Sequence, residues 1–160
     1  MFSRTAGGAT CLAIACLLTG CFTSATPPDA QLLERFRNHR SEFARVVEML
    51  KEDEKLRHLR ASSITPKDAI DGKRHYYYRN LLFQIGVDVV HQWPGGVRVI
   101  FAPDALTPLG REKGYVYSEK TLEPLRESLD LKDREVTPYA KYYRHIEGYW
   151  YLYYDNPSDF

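Results

Sequence analysis

The chain has 160 residues, with 22 basic against 21 acidic side chains, so its net charge is close to zero. A protein that binds a nucleic acid backbone carries a clear basic excess or stripe, so this balance excludes nucleic acid as the expected partner. All three cysteines, Cys11, Cys16 and Cys21, fall within the first 21 residues. Disulfides, zinc-thiolate sites and cysteine nucleophiles are therefore excluded from the rest of the chain.

The first 21 residues have the pattern of a signal peptide that ends in a lipid attachment site. Arg4 is followed by an uncharged stretch, residues 5–20, which is too short and too rich in glycine to span a bilayer. Leu18-Thr19-Gly20-Cys21 closes this stretch and resembles the lipobox of bacterial lipoproteins. The resemblance implies cleavage before Cys21 and attachment of a diacylglycerol and a further acyl chain such as palmitate. The alternatives are an ordinary signal peptide with a chance cysteine, or an uncleaved anchor.

These signals divide the chain into three parts. Residues 1–20 are the predicted signal peptide, residues 21–28 a lipidated tether, and residues 29–160 a single globular domain. Residue 22 is Phe, where lipoproteins retained in the inner membrane have Asp, so the resemblance favours the outer membrane, with the domain facing the periplasm. Cys21 thus predicts membrane lipid as one partner.

Two stretches of helical periodicity follow the tether. Apolar residues recur at helical spacing with no Gly or Pro before Pro66, which predicts one long helix over residues 29–60. A second apolar stripe predicts a helix over residues 73–85 that ends at Gly86, a typical residue just beyond a helix C-terminus.

The apolar period changes to two at Val87, which predicts strands. The predicted strands are residues 87–93 and 97–101, joined by a turn at Pro94-Gly95, then residues 113–118 and, after a loop over residues 121–138, a last strand over residues 142–155. The expected fold is therefore α+β, with two N-terminal helices packed on one face of a roughly four-stranded antiparallel sheet.

Tyrosine is concentrated near the C-terminus: seven of the twelve tyrosines fall between residues 139 and 154. Period-two alternation assigns Trp150 and Leu152 to the core and the neighbouring tyrosines to an open face. Because tyrosine is favoured at protein-binding surfaces, this face predicts a partner site. The candidate residues are Tyr115, Tyr117, His145, Glu147, Tyr149, Tyr151 and Tyr153. The alternative is cross-strand aromatic packing that stabilises the sheet.

Common catalytic motifs of hydrolases and nucleotide-binding enzymes are absent from the sequence, so no catalytic residue, metal ligand or cofactor is predicted. The nearest arrangement to an active site is His145 with Glu147, which a regular strand would place about 7 Å apart on one face. Such a pair is more often a surface contact than an acid–base pair.

Residues 113–118 and 143–154 are similar to the carboxy-terminal strands of small bacterial lipoproteins, a resemblance over about 20 residues that implies no known activity. The predicted function is a non-catalytic, lipid-anchored periplasmic protein that binds another periplasmic or secreted protein, as immunity or inhibitor proteins do. The alternatives are an assembly lipoprotein of an envelope complex, or a small-ligand carrier or hydrolase that uses His145 and Glu147.

Overall fold

The computed structural model describes residues 26–93, 98–102, 111–132 and 135–157, and for residues 98–102 it describes the backbone. These residues form three helices and seven strands, which confirms the α+β class. In chain order they are α1 (Asp29–Asn38), α2 (Arg40–Glu52), β1 (His58–Arg60), β2 (Ile64–Thr65), α3 (Gly72–Ile85), β3 (Val89–Gln92), β4 (Arg98–Ala102), β5 (Glu112–Ser118), β6 (Lys141–Glu147) and β7 (Trp150–Asp155). The predicted signal peptide, Cys21 and the turn at Pro94-Gly95 lie outside the described residues.

The prediction of one helix over residues 29–60 is wrong, because the chain leaves the helical conformation twice. His39, at φ −126° and ψ 29°, separates α1 from α2. α2 then ends at Asp53, whose carboxylate accepts hydrogen bonds from Arg74 Nε at 2.8 Å and from the Tyr78 hydroxyl at 2.7 Å. Both donors lie on α3, so contacts distant in sequence help to fix the end of α2.

Leu56 and Leu59 continue the apolar stripe of α2 in the sequence, but they do not lie on the helix. Both are buried, Leu56 from the turn after α2 and Leu59 from β1. Their spacing therefore predicted burial correctly and secondary structure incorrectly.

The second helix is confirmed as α3, and local signals define both of its ends. The Asp71 side chain accepts a hydrogen bond from the backbone N–H of Arg74 at 2.7 Å and so caps the N-terminus. Gly86 ends the helix in the left-handed conformation, at φ 63° and ψ 45°. A Cβ at this position would come within 2.8 Å of the Arg35 guanidinium, so a larger residue would also displace the end of that side chain.

The seven strands form one antiparallel sheet in the order β2-β1-β3-β4-β5-β7-β6. The predicted strands over residues 87–93, 97–101 and 113–118 are confirmed as β3, β4 and β5. The expected total of about four strands is wrong for two reasons: β1 and β2 extend one edge, and the predicted final strand is a hairpin of β6 and β7.

The hairpin turns at Gly148 and Tyr149, and Gly148 takes a positive φ of 51°. A bulge between His145 and Glu147 shifts the register of β6 against β7 just before this turn. The alternating sequence of residues 142–155 predicts neither the turn nor the bulge, because both leave the pattern of alternation almost unchanged.

Buried side chains form a cluster on each face of the sheet. The larger one joins α1, α2 and α3 to Leu59, Val90, Tyr115, Leu152 and Tyr154, so the three helices pack on one face as expected. In this cluster the rings of Phe36 and Phe43 pack against Tyr115 and against the partly buried Trp150. The smaller cluster, on the other face, contains Val116, Tyr143, Tyr151 and Tyr153, with Leu122 packed against it.

A buried ionic cluster ties the start of α1 to the C-terminal half of the chain. Lys113 is fully buried, and its ammonium lies 2.6 Å from a carboxylate oxygen of Asp29 and 2.6 Å from one of Asp130. The other Asp29 oxygen accepts hydrogen bonds from the Leu129 backbone N–H at 2.8 Å and from Arg144 at 2.7 Å. The first residue of α1 is thereby fixed to the loop after β5 and to β6.

Candidate functional site

The turn between β6 and β7 carries the exposed aromatic side chain that best fits the predicted partner site. Tyr149 is 53% exposed, and its backbone carbonyl accepts a hydrogen bond from Ser118 N–H at 2.9 Å. Its ring meets the ring of Tyr117 edge to face, with centroids 5.8 Å apart. Tyr149 is therefore both accessible and held in position, as an anchor for a partner must be.

Two ion pairs lie beside Tyr149. Arg40, at the start of α2, pairs with Glu147 at 2.5 Å, and Lys51, at the end of α2, pairs with Glu119 at 2.9 Å. The hydrogen bond between Lys51 and Glu119 raises the pKa of the lysine and lowers the pKa of the glutamate. Both groups are therefore charged at neutral pH. We call this region the turn surface; its residues are Arg40, Lys51, Glu119, Glu147 and Tyr149, and the buried Tyr117 supports it from below.

The other predicted tyrosines lie inside the protein. Tyr115 and Tyr117 face the helices, where the Tyr115 hydroxyl donates to the Leu32 carbonyl at 2.9 Å. Burial raises the pKa of Tyr117 above its usual value. Lys51 lowers this pKa and Glu119 raises it, but burial has the largest effect. Tyr151 and Tyr153 are buried on the opposite face.

The expectation that Tyr151 and Tyr153 line an open face is therefore wrong. Residues 124–126 run along the outer edge of β6, where the Tyr143 backbone N–H donates to the Pro124 carbonyl at 3.0 Å and the Arg126 N–H donates to the Tyr143 carbonyl at 2.8 Å. Leu122, from the same segment, packs against the tyrosine cluster. The sequence predicted this segment as a loop but gave no indication of what the loop covers.

His145 and Glu147 do not share a face, because the bulge between them reverses the alternation. His145 packs against Tyr151, with ring centroids 5.1 Å apart, and its Nε2 lies 3.0 Å from the Gly148 carbonyl oxygen. Glu147 instead reaches Arg40 on the helix side of the sheet. The two side chains are thus on opposite sides of the sheet and do not form a shared acid–base site.

A second exposed aromatic surface, which the sequence analysis missed, lies on α3. Phe83 is 87% exposed and Tyr76 is 57% exposed. The Arg79 guanidinium lies over the Tyr76 ring, 5.1 Å from its centroid. Tyr76 and Phe83 are seven residues apart and fall outside the buried stripe of Tyr78, Leu81, Leu82 and Ile85. Their position outside this stripe was the sequence signal that could have identified them as exposed.

The paired histidines are the nearest approach to a metal site. His58 and His91 lie opposite each other on β1 and β3, with ring centroids 4.1 Å apart. Burial lowers the pKa of both imidazoles, and the nearby Arg60 lowers them further. Within the described ranges, no group of three or more His, Cys, Asp or Glu side chains is arranged to hold a metal ion.

No family model matches the sequence, and neither a curated protein nor a solved structure shows significant similarity to it. In the part of the chain that the structure describes, no helix has the length and apolarity needed to cross a membrane.

Proposed function

We propose that this chain is a non-catalytic, lipid-anchored protein of the outer membrane that captures another periplasmic or secreted protein through the turn surface. An immunity or inhibitor protein directed against a secreted toxin or an envelope enzyme fits this description. The observation that carries the proposal is Tyr149, which is half exposed yet fixed by Tyr117 and Ser118.

The composition of the turn surface supports protein binding. Residues that contribute most to protein interfaces are commonly Tyr, Trp and Arg, in a central position surrounded by polar contacts that exclude water. Tyr149 supplies a large ring with few rotatable bonds, and the pairs Arg40–Glu147 and Lys51–Glu119 supply a charged rim. The rim contains both positive and negative side chains, so the expected partner is a protein surface and not a uniformly charged polymer.

An enzymatic role has weaker support. The hydrolase hypothesis depended on His145 and Glu147 acting on one substrate, and these side chains lie on opposite faces of the sheet. The assembly hypothesis keeps the same surface and differs in the partner, which would be a subunit of a membrane complex. Co-purification with such a complex, in place of a single soluble protein, would favour assembly.

The anchoring part of the proposal rests on Cys21. Replacement Cys21→Ser removes the sulfur nucleophile needed for lipid attachment, so we expect a precursor that is uncleaved at this site or a soluble form. Cys16→Ser, a matched change within the predicted signal peptide, should leave attachment intact. Membrane fractionation and intact-mass measurement report both outcomes, and a wild-type mature mass without a lipid increment would contradict lipidation.

The binding part of the proposal is tested by affinity purification from envelope extracts. We expect immobilised wild-type protein to recover one partner in near-stoichiometric amount. Tyr149→Ala should lose that partner, whereas Tyr139→Ala, which removes another exposed tyrosine ring, should retain it. Recovery of no stoichiometric partner, or equal recovery by Tyr149→Ala and wild type, would count against the proposal.

A further inference from the structure

The outward side of α3 combines exposed aromatic rings with positive charge. A helical projection places Lys73, Tyr76, Arg79, Asn80 and Phe83 on one side, opposite the buried stripe, and all five are exposed. We call this side the outer face of α3. Tyr76 and Phe83 lie near its centre, two turns or about 10 Å apart along the helix axis.

Negative charge is absent from the sequence of α3 itself. Asp71 precedes the helix as its N-cap, and the next acidic residue is Asp88, beyond Gly86. The adjoining helix α2 carries carboxylates, but Glu52 pairs with Arg74 at 2.7 Å and Glu48 with Arg45 at 3.3 Å. The outer face of α3 is thus cationic and aromatic, and the carboxylate beside it is that of Asp88, which lines the same hollow as Arg79 and Phe83.

The tether is long enough for this face and the membrane anchor to meet. The Arg35 guanidinium donates to the Gly86 carbonyl at 3.0 Å, which ties the C-terminal end of α3 to α1. Arg35 is six residues, or about 9 Å along the helix axis, from Asp29. Eight residues separate Asp29 from Cys21, and a chain of that length reaches at most about 28 Å.

We propose that the outer face of α3 lies against an anionic phospholipid surface, with the Phe83 and Tyr76 rings in the interface and Lys73 and Arg79 against the phosphates. Aromatic rings with flanking lysine and arginine suit the boundary between headgroups and acyl chains. The turn surface lies toward the β7–β6 side of the sheet, whereas α3 lies toward β1, where His75 bonds to the Arg60 carbonyl. Contact of α3 with lipid would therefore leave Tyr149 accessible.

Quenching by brominated lipid tests this contact directly. Phe83→Trp introduces an indole at an exposed position, and Tyr139→Trp introduces a matched one away from α3. Each protein, as purified from envelopes, is mixed with vesicles of brominated phosphatidylcholine containing about one-third phosphatidylglycerol. Wild-type protein gives the background from Trp93 and Trp150.

We expect the emission added by the Phe83→Trp replacement to shift to the blue and to lose most of its intensity, while the emission added by Tyr139→Trp stays unchanged. Adding Lys73→Glu and Arg79→Glu to Phe83→Trp, or replacing phosphatidylglycerol by phosphatidylcholine, should restore the emission. No quenching of the indole at position 83 in the anionic vesicles would overturn the proposal and leave this face to a protein partner. Equal quenching of the indoles at positions 83 and 139 would also overturn it, because proximity from the anchor would then explain the signal.

Discussion

Replacement Asp29→Ala is expected to destabilise the domain by about 3–5 kcal/mol, because it removes one partner from a buried ion pair. Lys113 is fully buried, and its ammonium is shared between Asp29 and Asp130. Without Asp29 the Lys113 ammonium keeps only the Asp130 carboxylate as a partner, and the Leu129 N–H loses its acceptor. Urea unfolding measures the change. The exposed Asp68 provides the control, and Asp68→Ala should change stability by less than about 0.5 kcal/mol.

This contribution depends on pH in a defined direction. Burial raises the pKa of Asp29, but hydrogen bonds from Lys113, the Leu129 N–H and Arg144 outweigh burial and hold the pKa below its usual value. The carboxylate therefore stabilises the fold fully above the unfolded pKa of about 3.9, and the contribution is lost as pH falls through the lower folded pKa. The stability difference between wild type and Asp29→Asn should shrink as pH falls below about 4. A difference that is already small at pH 7 would contradict this account.

Replacement Phe43→Ala is expected to cost about 3–5 kcal/mol by leaving a cavity at the centre of the helix-side core. The Phe43 ring lies 4.7 Å from Tyr115, 5.3 Å from Phe36 and 5.4 Å from Trp150, between ring centroids. Phe83→Ala is the matched control, because it removes the same phenyl ring from an exposed position. Thermal or urea unfolding should separate the two clearly. Similar midpoints for both variants would contradict the assignment of Phe43 to the core.

Parts of this fold were predictable because local residues fix them. α3 has an aspartate cap at one end and a left-handed glycine at the other, and both signals are visible in the sequence. The strands β3, β4 and β5 contain many valine, isoleucine and aromatic residues, which favour strands, and they pair with sequence neighbours. In these segments the local preference and the tertiary structure agree.

Other parts depend on contacts that the sequence pattern does not encode. The end of α2 at Asp53 is supported by Arg74 and Tyr78, more than 20 residues away. Similarly, Leu59 continued a helical stripe but pairs with Ile64 and Val90 as part of the sheet. Periodicity identified the buried residues here without identifying the element that buries them.

The candidate site was predicted in part for the same reason. Alternation separated the two faces of β7 correctly, since Leu152 lies on the helix side and Tyr151 on the other. It did not indicate that Leu122 packs against the tyrosine cluster, nor that the bulge moves Glu147 away from His145. Tyr149 remains exposed because it lies in the turn, beyond the covered part of the sheet.

The affinity of Tyr149→Ala for the recovered partner tests the proposed binding surface most directly. Calorimetric titration of wild type, Tyr149→Ala and Tyr139→Ala against that partner would be compared with the unfolding midpoint of each protein. If Tyr149 is a central contact, Tyr149→Ala should weaken binding by about 2 kcal/mol or more, roughly 30-fold in Kd, at an unchanged midpoint. An unchanged Kd for Tyr149→Ala, or equal weakening by Tyr139→Ala, would contradict binding through the turn surface.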